Sequence, residues 1–255
     1  MAVEPVPGAP AATADLPEGT ALVVADYHAG IEVGLRREGV ELRSNAASRR
    51  ESVLSLVDRT APARLVVLGD LADDIGAPTG EERAELLDLF EVVADRVPVT
   101  VVKGNHDGEV AGVLDEAAAG AEYPIDLTPG HGVRLGDVGF AHGHTWPSPD
   151  VLSAETVCTA HEHPVVRLED DVGGHRVERV WLRGRLHPAP FSDHFDQAVN
   201  ASGDLVVFPA FNDLSGGTWV NVDEQSFLSP FLPAGLADGE AYLLDGTRLG
   251  RYDAL

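Results

Sequence analysis

Sulfur is nearly absent from this sequence. Its 255 residues include one methionine and one cysteine, Cys158, so an intramolecular disulfide and a thiolate metal cluster are both excluded. Cys158 lies in the apolar run Val157–Ala160, and we interpret it as a small core residue.

Long apolar runs are missing as well. No stretch approaches the roughly 18 residues that a membrane-spanning helix needs. The first 20 residues contain neither Lys nor Arg, unlike a secretory signal. We therefore expect a cytoplasmic protein with no membrane partner. Hydrophobic residues make up 44% of the chain, enough for a sizeable core. We predict a single domain at residues 20–255 after a flexible tail at residues 1–19.

Positive charge is scarce too. The chain has 42 acidic residues against 18 basic ones, a net charge of −24, and Lys103 is its one lysine. The acidic side chains on such a surface repel one another. Molar salt removes this repulsion because the screening length falls to about 3 Å. We hypothesise a salt-rich cytoplasm, as in a halophile; the alternative is an ordinary acidic protein.

The first half of the sequence alternates apolar strands with amphipathic helices. Asn45 is a suitable N-cap for one helix, and Thr79 with Glu82 has the spacing of a capping box before another. This alternation predicts a layered α/β fold with parallel strands. The three strands are predicted at Ala21–Ala25, Leu65–Leu68 and Val99–Val102.

The second half is richer in strands. Residues Gly132–Ala141 form a predicted hairpin that turns at Gly136–Asp137. We expect these strands to form a second sheet that packs on the first, and residues 223–255 carry no signal that we can interpret. The other strands are predicted at Val157–Ala160, Val177–Leu182, Leu205–Phe208 and Trp219–Val222.

Polar side chains follow five of these strands. The carboxyl ends of strands in open α/β sheets form ligand sites. A lone histidine is more often solvated than a ligand, but six of the ten histidines fall here, and burying six unpaired rings would be costly. The five segments are Asp26-Tyr-His28, Gly69-Asp70, Gly104-Asn105-His106-Asp107, His142-Gly-His144 and His161-Glu-His163.

Together the five segments resemble the calcineurin-like metallophosphoesterase superfamily. Its pattern is Asp-x-His, Gly-Asp-x-x-Asp, Gly-Asn-His-Asp/Glu, a His, and Gly-His-x-His. All five blocks are present in order over residues 26–163, with Asp73 completing the second block and Ala160 in place of the usual Gly. The resemblance implies an αββα sandwich, in which two mixed sheets are flanked by helices, and a metal-dependent phosphoesterase.

A narrower resemblance is to archaeal phosphoesterases related to the SbcD/Mre11 nucleases and to DNA-ligase-associated phosphoesterases. It implies a phosphodiester substrate and makes nucleic acid a candidate partner. It is carried by residues 26–32, 35–39, 163–168, 205–211 and 214–217.

The composition gives nucleic-acid binding no support. The one local basic cluster has a simpler interpretation as a solvated sheet edge. In molar salt, however, counterion release contributes little to nucleic-acid affinity, so acidity does not exclude a nuclease. The cluster consists of Arg176, Arg179, Arg183 and Arg185.

The superfamily resemblance also implies the ligands of two cations. Two cations about 3.5–4 Å apart need a shared ligand, and the pattern assigns that role to Asp70. Mixed imidazole and carboxylate ligands suit Mn, Fe, Co, Ni or Zn better than Mg or Ca, and of these we expect Mn. One cation would take Asp26, His28, Asp70 and His163; the other would take Asp70, Asn105, His142 and His161.

The implied reaction is attack on phosphorus by a hydroxide that bridges the two metals. His106 would protonate the leaving oxygen or stabilise a phosphoryl oxygen. Asp73 would orient its ring, with Asp107 as the rival. His142 is preferred to His144 as the ligand, because the superfamily places the ligand first, so His144 is expected to contact substrate.

Two alternatives to a phosphodiesterase stay open. The first is a hydrolase of small phosphate esters or nucleotides. The second is a silent scaffold that keeps the fold, although a scaffold should have lost ligands or His106. The sequence sets neither the metal identity nor the oligomeric state.

We predict that salt stabilises this protein. Because the repulsion among its acidic side chains is screened by ions, the melting temperature should rise steadily from dilute buffer to molar KCl. Thermal unfolding across a KCl series measures this. A melting temperature independent of KCl would contradict the salt-rich cytoplasm.

Overall fold

A computed structural model describes residues 2–169, 173–222 and 226–255. Two β-sheets pack face to face, and helices cover the outer side of each sheet. This is the expected α/β fold of two mixed sheets flanked by helices. Within the described ranges, every helix is too short or too polar to cross a bilayer.

The first sheet has the order β1-β2-β3-β4-β5-β6. Strands β3 to β6 are parallel, whereas β1 and β2 are antiparallel additions at one edge. Helices connect successive parallel strands, as parallel pairing requires. The strands are β1 (Val3–Pro5), β2 (Ala11–Leu16), β3 (Gly19–Ala25), β4 (Arg64–Leu68), β5 (Val99–Val102) and β6 (Ile125–Thr128).

Four helices lie beside the first sheet. Leu22, Leu65 and Val99 point outward from its strands into a core that α2, α3 and α4 complete. Burying this apolar surface holds the helices against the sheet. The helices are α1 (Ile31–Arg37), α2 (Ala46–Thr60), α3 (Gly80–Ala94) and α4 (Ala111–Ala118).

The second sheet has the order β14-β13-β11-β12-β9-β8-β7, and β10 pairs with β11. Its strands β8, β9 and β12 are parallel, and the other pairs are antiparallel. The strands are β7 (Val133–Leu135), β8 (Val138–Phe140), β9 (Thr156–Thr159), β10 (Val165–Glu169), β11 (His175–Leu186), β12 (Asp204–Val207), β13 (Leu236–Leu243) and β14 (Arg248–Arg251).

The space between the sheets is filled by alternate residues of their strands. Val66 and Leu68 of the first sheet meet Phe140, Cys158 and residues of β11 and β12 from the second. Cys158 is a buried free cysteine, as expected. The outer face of the second sheet is covered by segments that include α5 (Pro149–Leu152) and α6 (Pro188–Phe195).

The expected flexible tail is wrong. Residues 3–5 and 11–16 form β1 and β2, and β2 pairs with β3 along its whole length. Ala12, Ala14 and Leu16 of β2 enter the layer between the sheets. A run of alanines is a weak strand signal, but pairing with β3 and burial between the sheets stabilise this strand.

Other local predictions also need correction. Trp219 forms only an isolated bridge with Val165, instead of a strand to residue 222. Thr79 precedes α3, but its side chain makes no capping hydrogen bond. The Glu82 carboxylate accepts the amides of Asp73 and Asp74 from another loop, so no capping box forms. Asn45 occupies the N-cap position of α2, also without a side-chain cap. The uninterpreted C-terminal segment includes β13 and β14; residues 223–225 lie outside the described ranges.

Candidate metal centre

The candidate residues lie just after β3, β4, β5, β8 and β9, where the two sheets end side by side. Five of them have left-handed backbone conformations, which cost about 1–2 kcal/mol each in a non-glycine residue. Only eight non-glycine residues in the described ranges have positive φ. The five are Asp26, His28, Asp70, His161 and His163, with φ of 54°, 47°, 46°, 70° and 44°.

One group brings together Asp26, His28, Asp70 and His163. Each offers one ligand atom, and these atoms all lie within 4.8 Å of one another. His163 Nε2 is 3.3 Å from Asp26 Oδ1 and 3.4 Å from His28 Nε2. This is the set that the resemblance implies for the first cation.

A second group brings together Asp70, His142 and His161. His142 Nε2 is 3.3 Å from Asp70 Oδ2 and 3.2 Å from Asn105 Oδ1. Asp70 belongs to both groups, so its carboxylate lies between them. The seven candidate ligands therefore lie close together, with Asn105 next to the second group.

Main-chain carbonyls fix the orientation of two imidazole rings. His142 Nδ1 donates to Leu68 O at 2.7 Å, and His163 Nδ1 donates to Gly216 O at 2.9 Å. With Nδ1 protonated, the lone pair of a neutral ring is on Nε2, which faces the carboxylates. Such outer partners orient the histidine ligands of metal sites.

The residues fit a pair of divalent cations. Both carboxylate oxygens of Asp26 are buried and lack a hydrogen-bond partner among the described residues. His142 Nε2 faces two oxygen acceptors, an arrangement that repels unless a proton or a cation lies between them. Unpaired buried carboxylates are costly, and cations would satisfy both features. Mixed nitrogen and oxygen ligands suit transition metals.

The pKa values of the clustered side chains also show that the carboxylates attract positive charge. Burial disfavours the charged form of His142, but the carboxylates of Asp70 and Asp26 outweigh it and raise its pKa to about 9. Burial opposes ionisation of Asp70 as well, yet His142 beside it holds the carboxyl pKa far below its usual range. Burial and the neighbouring His142 lower the pKa of His161 to about 4.

Two glycines allow this close packing. A Cβ atom at Gly69 would lie 2.5 Å from His142 Nδ1, and one at Gly104 would lie 2.2 Å from Asp70 Oδ1. Either side chain would displace a candidate ligand. By contrast, Ala160 causes no difficulty, because the left-handed turn falls on His161.

The surroundings of His106 differ from the expectation. Its Nδ1 interacts with the main-chain carbonyl of Asp73, not with the Asp73 carboxylate. That carboxylate lies 3.4 Å from His28 Nδ1. Asp107, the rival, is buried and accepts from the amides of Leu71 and Gly104 at 2.8 Å, so it does not orient His106.

His144 lies beside the second group. Its ring centroid is 5.2 Å from that of His142 and 6.2 Å from that of His161. Burial and the neighbouring His142 lower its pKa, which favours a neutral ring. Its buried Nδ1 has no hydrogen-bond partner among the described residues.

Sequence reasoning missed two residues that support the site. Glu162 is fully buried, and its carboxylate accepts from Thr218 Oγ1 and from the amides of Leu228 and Ser229 at 2.9, 3.0 and 2.6 Å. Asn212 donates to the carbonyls of Tyr27 and His28 at 3.1 Å. Strand alternation gave no signal for Glu162, because residues 161–163 lie beyond β9 and both histidines have a left-handed backbone.

The basic cluster lies along β11, where residues 175–179 pair with β10 and residues 180–186 pair with β13 and, in part, with β12. Arg176 is exposed, as the sheet-edge interpretation expects, whereas Arg183 and Arg185 lie between two neighbouring strands. Arg179 donates to the carbonyls of Ala210 and Phe211, and Arg185 donates to that of Ser202. These arginines therefore support loops of the protein itself.

We predict that the metal-free protein loses stability as pH rises above neutrality. The pKa of His142 is raised from 6.5 to about 9, so its contribution is complete below pH 6.5 and disappears as pH rises through 9. The loss should reach about 3 kcal/mol. Urea unfolding with a chelator between pH 6.5 and 9.5 measures it, with His142→Gln as control. Constant stability over that range in the parent protein would refute the prediction.

Comparison with known proteins gives a family for this chain and two similar solved structures. The sequence matches the calcineurin-like phosphoesterase family over residues 19–182. No curated protein sequence matches significantly. A solved nuclease MPE from Pseudomonas putida has a TM-score of 0.53 at 17% identity, covering 97% of this chain and all of that one. Yfce, a phosphoesterase from E. coli, is 22% identical over 59% of this chain and 73% of its own, with a TM-score of 0.34. Identities this low compare folds alone, but the family match spans well over half of the sequence, and the chain therefore belongs to the calcineurin-like phosphoesterase family.

Proposed function

We propose that the protein is a two-metal phosphodiesterase. The observation that carries the proposal is the pair of ligand groups that share Asp70. In this proposal, Asp26, His28, Asp70 and His163 hold one Mn²⁺ ion. The second is held by Asp70, Asn105, His142 and His161.

The side chains around the metals would then have separate roles in the reaction. Cations bound here would act as Lewis acids and lower the pKa of a water molecule. His106 would donate a proton from Nε2 to the leaving oxygen while the carbonyl of Asp73 holds its Nδ1. The neutral ring of His144 would offer a hydrogen bond to the substrate.

The charge of the pocket favours a diester over a monoester. Two cations bring four positive charges, Asp26 and Asp70 remove two, and a hydroxide nucleophile removes a third. The described residues that line this cavity of about 320 Å³ include no Lys or Arg. The metal ions, their carboxylate ligands and the nucleophile therefore sum to about +1, and the buried carboxylate of Glu162, which also lines the cavity, lowers the total further. A phosphodiester, with one negative charge, is compensated better by this pocket than a dianionic monoester.

Nucleic acid and small esters are the two substrate classes to separate. The solved nuclease from P. putida makes nucleic acid the first candidate, with fold as the only link. A cavity of about 320 Å³ is at the small end of ligand sites, which favours small phosphodiesters as the second candidate. Leu228 lines the cavity and is 60% exposed, so it could contact an apolar group such as a nucleobase.

We predict Mn²⁺-dependent hydrolysis of bis(p-nitrophenyl) phosphate in high KCl, with p-nitrophenyl phosphate hydrolysed more slowly. Single-stranded DNA assayed in parallel separates the two substrate classes. Asp70→Asn should lower kcat/KM by more than the roughly 100-fold that loss of an outer partner costs. Asp58→Asn, an exposed change on α2, is the matched control. Hydrolysis that survives both chelation and Asp70→Asn would rule out the two-metal site.

We also predict that His106→Ala discriminates between leaving groups. General acid catalysis contributes about 10²–10⁴-fold, and a poor leaving group needs the proton most. Nucleotide phenyl esters should therefore lose at least about 100-fold in kcat, and p-nitrophenyl esters much less. Steady-state kinetics on matched pairs test this. Equal losses on both esters would remove His106 as the acid.

A further inference from the structure

Helix α3 presents two buried carboxylates to the back of the candidate metal centre. Glu82 and Glu85 are only 6% and 5% exposed and lie about one turn apart, so they share a helix face. Buried carboxylates are costly unless they are hydrogen-bonded. Neither carboxylate belongs to the two ligand groups, so their role lies elsewhere.

Glu85 fastens the first loop of the site, residues 26–30. Its Oε2 accepts the Gly30 amide at 3.0 Å. The same carboxylate binds Arg49 from α2 through Nε at 2.7 Å and Nη2 at 3.0 Å. Arg49 also donates to both oxygens of Glu32, at 3.0 and 3.1 Å. Its guanidinium lies over the ring of Tyr27, 5.5 Å from the centroid. Tyr27 stands between Asp26 and His28.

Glu82 fastens the second loop, residues 70–74. One of its oxygens, Oε1, accepts the amides of both Asp73 and Asp74 at 2.9 Å. The carbonyl of the same Asp73 interacts with His106, and its carboxylate lies near His28. Glu82 also contacts the first loop, because a Cβ atom on Gly30 would lie 2.6 Å from Glu82 Cβ.

These two loops carry strained residues. Asp26, His28 and Asp70 all have positive φ, a conformation that persists only where the surroundings enforce it. The observed hydrogen bonds are such an enforcement, and they reach both loops from a single helix.

We propose that Arg49, Glu82 and Glu85, which we call the loop clamp, position Asp26, His28 and Asp70 for metal binding. The inference rests on the proposed function only in taking these three residues as metal ligands. The members of the loop clamp touch neither metal nor substrate, so they are positioning residues.

Glu82→Ala is the most direct test. Alanine keeps Cβ but removes the acceptor of the Asp74 amide and one of the two acceptors of the Asp73 amide, which also donates to Ala29 O at 3.1 Å. The Kd for Mn²⁺, measured by calorimetry well below the melting temperature, should rise about 10- to 100-fold, as for outer partners of metal ligands. Glu82→Gln keeps an acceptor oxygen and should restore most of the affinity.

Arg64→Ala is the matched control. Arg64 is a partly buried arginine that binds Glu18 and Thr100 at 3.0 and 2.8 Å. It begins β4, whereas the site lies beyond the end of that strand. Its removal should lower the melting temperature and leave the Kd for Mn²⁺ unchanged. If Glu82→Ala does not fold, Arg49→Lys takes its place. Lysine keeps the positive charge but loses the forked geometry of the guanidinium, and we expect the same rise in the Kd for Mn²⁺.

Hydrogen exchange in the metal-free protein gives a second readout. Amides of residues 71–75 should exchange faster in Glu82→Ala, and those of residues 28–31 faster in Arg49→Lys, but neither set in Arg64→Ala. Parent-like Kd and parent-like exchange in these variants would overturn the loop clamp alone. A parent protein that binds Mn²⁺ without hydrolysing diesters would overturn the proposed function alone, and one that binds no Mn²⁺ would overturn both.

Discussion

The site depends on one electrostatic constraint, which is that acceptor atoms face each other around Asp70. The Asp70 carboxylate meets the Nε2 edge of His142 on one side, and the unpartnered carboxylate of Asp26 lies within the first group. Such an arrangement is stable only with positive charge in its middle. Without metal, a proton on His142 supplies part of that charge, which explains its raised pKa. Metal binding and proton binding therefore compete for the same place.

The fold satisfies this constraint with strained backbone conformations at the candidate metal centre. The strand ends of both sheets bring candidate ligands from far apart in sequence to one edge, and several of these residues have a left-handed backbone conformation. Buried acceptors hold the strained loops from behind, with Glu82 and Glu85 beside one sheet and Glu162 beside the other. Several acidic residues of this chain thus serve as acceptors for main-chain amides and are not surface charge.

The sequence predicted the centre of the fold better than its edges. The segments after β3, β4, β5 and β9 combine an apolar run with unusual polar residues, so strand and ligand candidates could be recognised together. The strands β1 and β2 were missed because an alanine-rich segment becomes a strand only through tertiary contacts with β3. Glu82 was misread because its spacing from Thr79 satisfies a local rule, whereas its actual partners, Asp73 and Asp74, come from another loop.

The acidic surface does not prevent the binding of an anionic substrate, because salt screens exposed charges much more strongly than buried ones. The surface carries most of the net charge, and salt screens it within a few ångströms at molar concentration. Asp26 and Asp70 are almost completely buried, and buried charges are screened much less. A metal pair held there would keep its attraction for phosphate, while salt would screen the repulsion between the substrate and the acidic surface. With no Lys or Arg among the described residues that line the cavity, affinity would depend on those metals and on shape, and little on the counterion release that drives most nucleic-acid binding.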